Sequence, residues 1–257
     1  IVALTQKETG AVTMKLSKLS YAVVVASLMA AGAAQAAVKT SGSVAFTTDY
    51  KFRGISQTSA NAAVQGSLTA THDSGAYATV WGSSVDSLTG GSEMDFLLGY
   101  SAAAGDITYD VGVMRYSYPG ATAKNYGTKP DYNEVYASAS AYGAKIGAAY
   151  SDDYFGDTGA FSYIYGSYSK EIAGVGLTAY VAQNKFHDNG AGEGLDNFLL
   201  GTATNQTSYL DYKLAASKQI EGLTVEVAYI GTDLASADCP DEINCDGRVV
   251  ATVSKSF

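Results

Sequence analysis

The sequence predicts an all-β protein, a transmembrane antiparallel up-and-down β-barrel of about 12 strands. Three observations predict it. Short segments that alternate apolar with polar or small residues recur along the chain, the period-two signature of strands. The connections between them alternate long and short. The composition is also unusual for a soluble domain: of 257 residues, 47% are hydrophobic and only 16% charged, with 28 Gly, 20 Tyr and 3 Pro. Charged residues make up about a quarter of an ordinary soluble chain.

The first 36 residues stand apart. Lys15 and Lys18 follow Met14, the apolar run "YAVVVASLMAAGAAQA" fills 21–36, and Ala34-Gln35-Ala36 gives a small-x-small ending. This pattern predicts a secretory signal peptide cleaved after Ala36, with Met14 as the true start and residues 1–13 upstream of it. The remaining 37–257 would form the barrel. That part carries 13 basic and 24 acidic residues, so no basic stripe points to nucleic acid. It also contains no apolar run long enough for a helical span, whereas a closed barrel needs none.

Twelve segments follow. Val44, Phe46 and Thr48 share one face of the first, and the second surrounds 64–68. The third is "GAYATVWGSSV". The fourth sets Met94, Phe96, Leu98 and Tyr100 against Glu93, Asp95, Leu97 and Gly99; the fifth sets Ile107, Tyr109, Val111 and Val113 against Thr108, Asp110 and Gly112. "NEVYASASAY" is the sixth, and Ala144, Ile146, Ala148 and Tyr150 mark the seventh. Phe161, Tyr163 and Tyr165 give the eighth an apolar face, and Val175, Leu177, Ala179 and Val181 the ninth. Leu210, Tyr212 and Leu214 alternate with Asp211, Lys213 and Ala215 in the tenth. Leu223, Val225, Val227 and Tyr229 alternate with Thr224, Glu226 and Ala228 in the eleventh, and "GRVVATVSKSF" is the twelfth.

The connections begin with the long "KFRGISQTSA" and a brief turn at 72–75, and the alternation continues to the long "DLASADCPDEINCDG". An outer-membrane barrel has short periplasmic turns at one rim and longer extracellular loops at the other. An even strand number places both chain ends at the periplasmic rim. In such a barrel the apolar faces point to lipid. The opposite faces would line the interior with Asp49, Lys51, Glu93, Asp95, Asp110, Glu134, Asp211, Lys213 and Glu226. Arg53 would either reach into the mouth and pair with Asp49 or another lumenal acid, forming a charge constriction, or stay at the rim and only close a turn. Tyr50, Tyr100, Tyr116, Tyr118, Tyr132, Tyr150 and Tyr154 lie near strand ends, where interfacial girdles sit.

Cys239 and Cys245 flank "PDEIN" in the last long loop, and two nearby cysteines in an exported chain point to a disulfide. Asp238, Asp241, Glu242 and Asp246 around them read as a solvated acidic loop rather than a Ca²⁺ site, because their spacing fits no EF-hand. Two isolated histidines, His72 and His187, make no metal site. No catalytic or cofactor-binding residue is read from the sequence. Phe257 closes the last alternating stretch as a terminal aromatic, in the manner of the insertion signal read by the barrel-assembly machinery, although Lys255 departs from that pattern.

Six stretches together resemble the TorF-type porin family of proteobacteria, a family of otherwise unknown function. They are "TDYKFRGISQT" (48–58), "EMDFLLGY" (93–100), "YDVGVMRYSYPG" (109–120), "DYNEVYA" (131–137), "DYKLAASKQIEGLTVEVAYIGTDL" (211–234) and "RVVATVSKSF" (248–257). The resemblance implies an outer-membrane barrel with a pore and supplies no catalytic residue. The expected function is therefore passive diffusion of small hydrophilic solutes through a channel, with cations preferred because the lumenal charge is mostly acidic. Two other readings stand beside it. One is a non-conducting structural or adhesive barrel, plugged by side chains or by the loop at 184–206. The other is an outer-membrane hydrolase using His187 with Asp188 or another loop acid.

Overall fold

A computed structural model describes residues 38–121, 129–187, 193–199, 206–239 and 245–257. The predicted signal peptide and upstream residues lie outside the described residues. Two strands flank the first long loop's hairpin: β1 (Val38–Thr47), then β2 (Lys51–Phe52) and β3 (Ile55–Ser56) within the loop, then β4 (Ala63–His72). The chain continues through β5 (Ala76–Ser84), β6 (Ser92–Ala104), β7 (Ile107–Ser117), β8 (Tyr132–Ala141) and β9 (Ala144–Ser151). Next come β10 (Ala160–Ile172), β11 (Val175–His187), a short helix α1 (Glu193–Phe198), β12 (Ser208–Ile220), β13 (Leu223–Thr232) and β14 (Arg248–Ser256).

Twelve of these strands close into one antiparallel barrel; β2 and β3 form a separate two-stranded sheet. Neighbours in sequence are neighbours in space. Closure is made by β1, which pairs with β4 on one side and with β14 on the other, Phe46 opposite Val253. The pairing extends to the last residue: the Gly42 and Phe257 amides each donate to the other's carbonyl, at 2.8 and 3.0 Å. The Phe257 ring lies over Gly42, where a Cβ would come within 2.7 Å of it. A closed ladder leaves no unpaired edge, which is the condition for strands to sit in lipid.

The five short connections share one rim with the start of β1 and the end of β14. Each is a two- or three-residue turn, such as Tyr142-Gly143 with φ of 51° and 83°, the type I′ geometry that matches the twist of paired strands. The strand ends that bound the six long connections lie at the other rim.

The polarity is inverted relative to a soluble protein. Val64, Leu214 and Val249 point outward and are 64%, 62% and 66% exposed. The buried residues lie inside, crowded toward the long-loop half. Burial alternation follows the sequence faces in β1, β6, β7, β9 and β11 to β14.

β10 departs from the expectation. Phe161 and Tyr163, read as a lipid-facing set, are buried inside at 0% and 8%, and Ile164 and Tyr168 face outward instead. Both faces of this strand are apolar enough for lipid. Its direction is decided by an apolar partner waiting inside the barrel. The tyrosine girdle is corrected for the same reason. Tyr100 and Tyr150 are exposed on the outer face, but Tyr116, Tyr118, Tyr132 and Tyr154 are buried in the interior. Asp49 and Lys51 are not part of the first strand, which ends at Thr47.

Candidate functional site

The partner inside the barrel is the first loop. Lys51-Phe52-Arg53-Gly54-Ile55-Ser56 forms a tight hairpin, Lys51 opposite Ser56 and Phe52 opposite Ile55, that folds into the lumen at the long-loop end. Arg53 and Gly54 fill its two turn positions with φ of 50° and 80°, again type I′. A left-handed arginine costs about 1–2 kcal/mol. Gly54 has no alternative: a Cβ there would sit 2.4 Å from the Thr232 methyl and 2.9 Å from the Gly231 carbonyl, so the tip lies directly on the β12–β13 wall.

Polar residues of the same stretch hold the hairpin in place. Asp49 Oδ1 accepts from Ser56 Oγ at 2.6 Å and Thr58 Oγ1 at 3.0 Å, while its other oxygen faces Arg248 at 3.7 Å. Lys51 Nζ donates to the Gly54 and Asp246 carbonyls at 3.1 and 2.6 Å. Burial lowers the Lys51 ammonium to about 8, against the opposing pull of Asp49. Gln57 N donates to the Tyr50 carbonyl at 2.7 Å, closing the base.

Arg53 is the centre of the plug. Its Nη2 reaches both oxygens of Glu134 on β8, at 2.8 and 2.9 Å, with both side chains almost fully buried. Its guanidinium lies 4.8 Å from the Phe52 ring, 5.4 Å from Tyr154, 4.8 Å from Phe161 and 4.2 Å from Tyr163. Burial disfavours this charge; the Glu134 carboxylate and the surrounding phenols outweigh it, so the guanidinium stays charged. Arg53 thus pairs with Glu134, another of the lumenal acids, rather than with Asp49.

Other loops complete the closure. Tyr154 stacks on Phe161 at 4.0 Å and Tyr116 on Tyr132 at 4.3 Å. Helix α1 packs Leu195 and Phe198 against the same cluster, so the described part of the 184–206 loop also turns inward. Asn184, fully buried, donates to Asp211 Oδ2 at 2.7 Å. The sequence reading did not place Tyr154, Phe155, Phe186 or Asn184 in the site. The signal that could have found the plug is the Arg-Gly pair between Lys-Phe and Ile-Ser, which reads as a two-residue hairpin.

The remaining candidates face the interior as follows. Glu93 and Asp95 are buried beside the plug, Glu93 accepting from the Tyr118 hydroxyl at 3.2 Å. Lys213 and Glu226 form a pair at 2.6 Å in the short-turn half. Asp110 accepts from the Tyr77 hydroxyl. Cys239 and Cys245 are joined by a disulfide. Among the described residues no cluster of three or more His, Cys, Asp or Glu could hold a metal. Asp241, Glu242 and Asp188 lie outside the described residues. His187 is on the outer face, its Nε2 2.8 Å from Ser162 Oγ and remote from the lumen.

The fold and this interior define a porin-like 12-stranded barrel. A family model described as "Bacterial protein of unknown function (Gcw_chp)" matches residues 30–257, and the chain belongs to that family. Among solved structures, the KdgM porin matches with a TM-score of 0.53 at 7% identity, covering 84% of this chain and 99% of that one. The NanC porin, in its rhombohedral crystal form, gives 0.49 at 8% identity over 84% of this chain and 98% of that one. At such identities the likeness is one of fold. No curated protein matches.

Proposed function

We propose that this protein is an outer-membrane channel for passive diffusion of small hydrophilic solutes, closed in this state by its first-loop hairpin. The observation that carries the reading is a closed barrel with an apolar outer face and charged side chains on its interior wall, into which the first-loop hairpin folds from the long-loop end. The outward Val, Leu and Ile side chains suit contact with membrane lipid. The outer-membrane location, the signal peptide from Met14 to Ala36 and recognition of Phe257 by the barrel-assembly machinery belong to the same proposal. The fold supports transport rather than catalysis.

The interior charge supports a preference for cations. Arg53 and Lys213 are each matched by a glutamate and Lys145 by no carboxylate, while Glu93, Asp95, Asp110 and Asp211, four acids in all, make no ion pair among the described residues. Acidic linings favour cations.

A second reading is favoured by the plug itself: a structural barrel that never opens, since small barrels can be filled by side chains. Single-channel recording in a planar bilayer under a salt gradient separates the two. Discrete cation-selective steps support the channel. A folded, inserted protein that stays silent in wild-type form and after removal of the hairpin sinks it, and anion selectivity defeats the charge assignment.

A further inference from the structure

Beneath the plug the lumen holds a chamber of about 420 Å³, a volume within the range of small-molecule sites. Its wall carries tyrosines that lie flat. Tyr77, Tyr136 and Tyr165 stand across the ladder from Gly99, Gly112 and Gly147. A Cβ on those glycines would fall 2.4 Å from Tyr77 Cζ, 2.5 Å from the Tyr136 hydroxyl and 2.4 Å from Tyr165 Cζ. Each ring therefore rests on the bare backbone of a neighbouring strand, and Tyr77 and Tyr136 line the chamber.

A ring face is the negative side of the aromatic quadrupole. Elsewhere in this barrel such faces already hold cations: Lys145 Nζ stands 5.9 Å from the Tyr165 centroid, and Arg53 sits among four rings. Among the described residues no cation stands over Tyr77 or Tyr136. Beside them is Asp110. Its two oxygens accept from the Tyr77 hydroxyl at 2.8 and 2.9 Å, and the Tyr77 and Tyr136 hydroxyls are 2.6 Å apart. The phenols orient this carboxylate without neutralising it, and it makes no ion pair among the described residues.

We propose that Asp110, Tyr77 and Tyr136 form a binding site for a small organic ammonium ion of about the size of choline. The carboxylate supplies the charge, and the two ring faces supply contact that a weakly hydrated ammonium gains and a hydrated Na⁺ does not. Lys145, on β9 beside the β8 strand of Tyr136, lines the same chamber and bounds the site by occupying the Tyr165 face. The site goes beyond the channel reading and does not require the plug to open.

The test is calorimetric titration of the protein refolded in detergent micelles, which leaves conductance out of the measurement. Choline chloride is compared with the uncharged alcohol in which carbon replaces the ammonium nitrogen. Choline is expected to bind saturably and the alcohol at least about tenfold more weakly. Asp110→Asn and Tyr136→Leu should each weaken choline by a similar factor, with folding checked by heat-modifiable migration on gels. The proposal is overturned if wild type binds choline no better than the alcohol, or does not bind it. It is equally overturned if both folded variants match wild type. Should either variant fail to fold, the wild-type comparison decides alone.

Discussion

Glu134→Gln keeps the size and shape of the side chain that Arg53 grips and removes only its charge. The two side chains are 5% and 3% exposed, so water replaces little of what is lost. Removing one partner of a buried ion pair costs about 3–5 kcal/mol. Glutamine still accepts one hydrogen bond and the four aromatic rings remain around the guanidinium, so the lower end of that range applies. A loss of about 3 kcal/mol shifts the docked-to-undocked ratio of the hairpin by about two orders of magnitude. The barrel ladder does not involve this side chain and should persist. The assay is open probability in single-channel recordings, with heat-modifiable migration confirming a folded barrel. A hundredfold rise in open time is expected. A double variant, Arg53→Met with Glu134→Met, should close the channel again, because replacing a whole buried pair by apolar groups is close to neutral. A folded Glu134→Gln protein with wild-type traces would refute the reasoning that this pair holds the plug.

Three further outcomes follow from the same geometry. Gly54→Ala forces a Cβ into the Thr232 methyl at a φ of 80°, so hydrogen exchange across the 49–58 segment should accelerate by roughly tenfold for about 1–2 kcal/mol of strain. Burial lowers the docked Lys51 to about 8 from its ordinary value of 10.5, so between those values the docked hairpin binds fewer protons than the undocked one. Docking therefore strengthens as pH rises through that window, and open probability should fall from pH 7 to about pH 10; in Lys51→Met the trend should vanish. Replacing Cys239 and Cys245 by Ser removes a short covalent ring worth about 2 kcal/mol in the chain-entropy account. Protease should then cut the last long loop faster, while the gel-shift temperature of the barrel stays within a few degrees.

The barrel was legible in the sequence because its determinants are local. Strand alternation is a period-two property of consecutive residues, as in Met94, Phe96, Leu98 and Tyr100 against Glu93 and Asp95. Turn chemistry is equally local, as at Tyr142-Gly143 and Glu221-Gly222. Together they specify strand number, the two rims and the direction of most faces. The last strand could be read to its final residue for the same reason, since Phe257 continues the register of Val249 and Val253.

The plug was not legible, because it depends on what lies opposite a residue rather than beside it. Arg53 could have met any of several lumenal acids; Glu134 takes it because the hairpin tip is pressed on the wall at Thr232 and Gly231 and aims the side chain across the lumen. Phe161 and Tyr163 read as lipid-facing because alternation reveals that a strand has two faces, not which one is inside. An apolar interior, made by Phe52, Tyr154 and α1, reverses the preference. Tyr116 and Tyr132 sit near strand ends as girdle residues would, yet stack inward on that same cluster. Sequence by itself thus determined the strands of the wall and their order; only the tertiary structure decided their register and what fills the wall, since contacts across a lumen join residues far apart in the chain and leave no period to read.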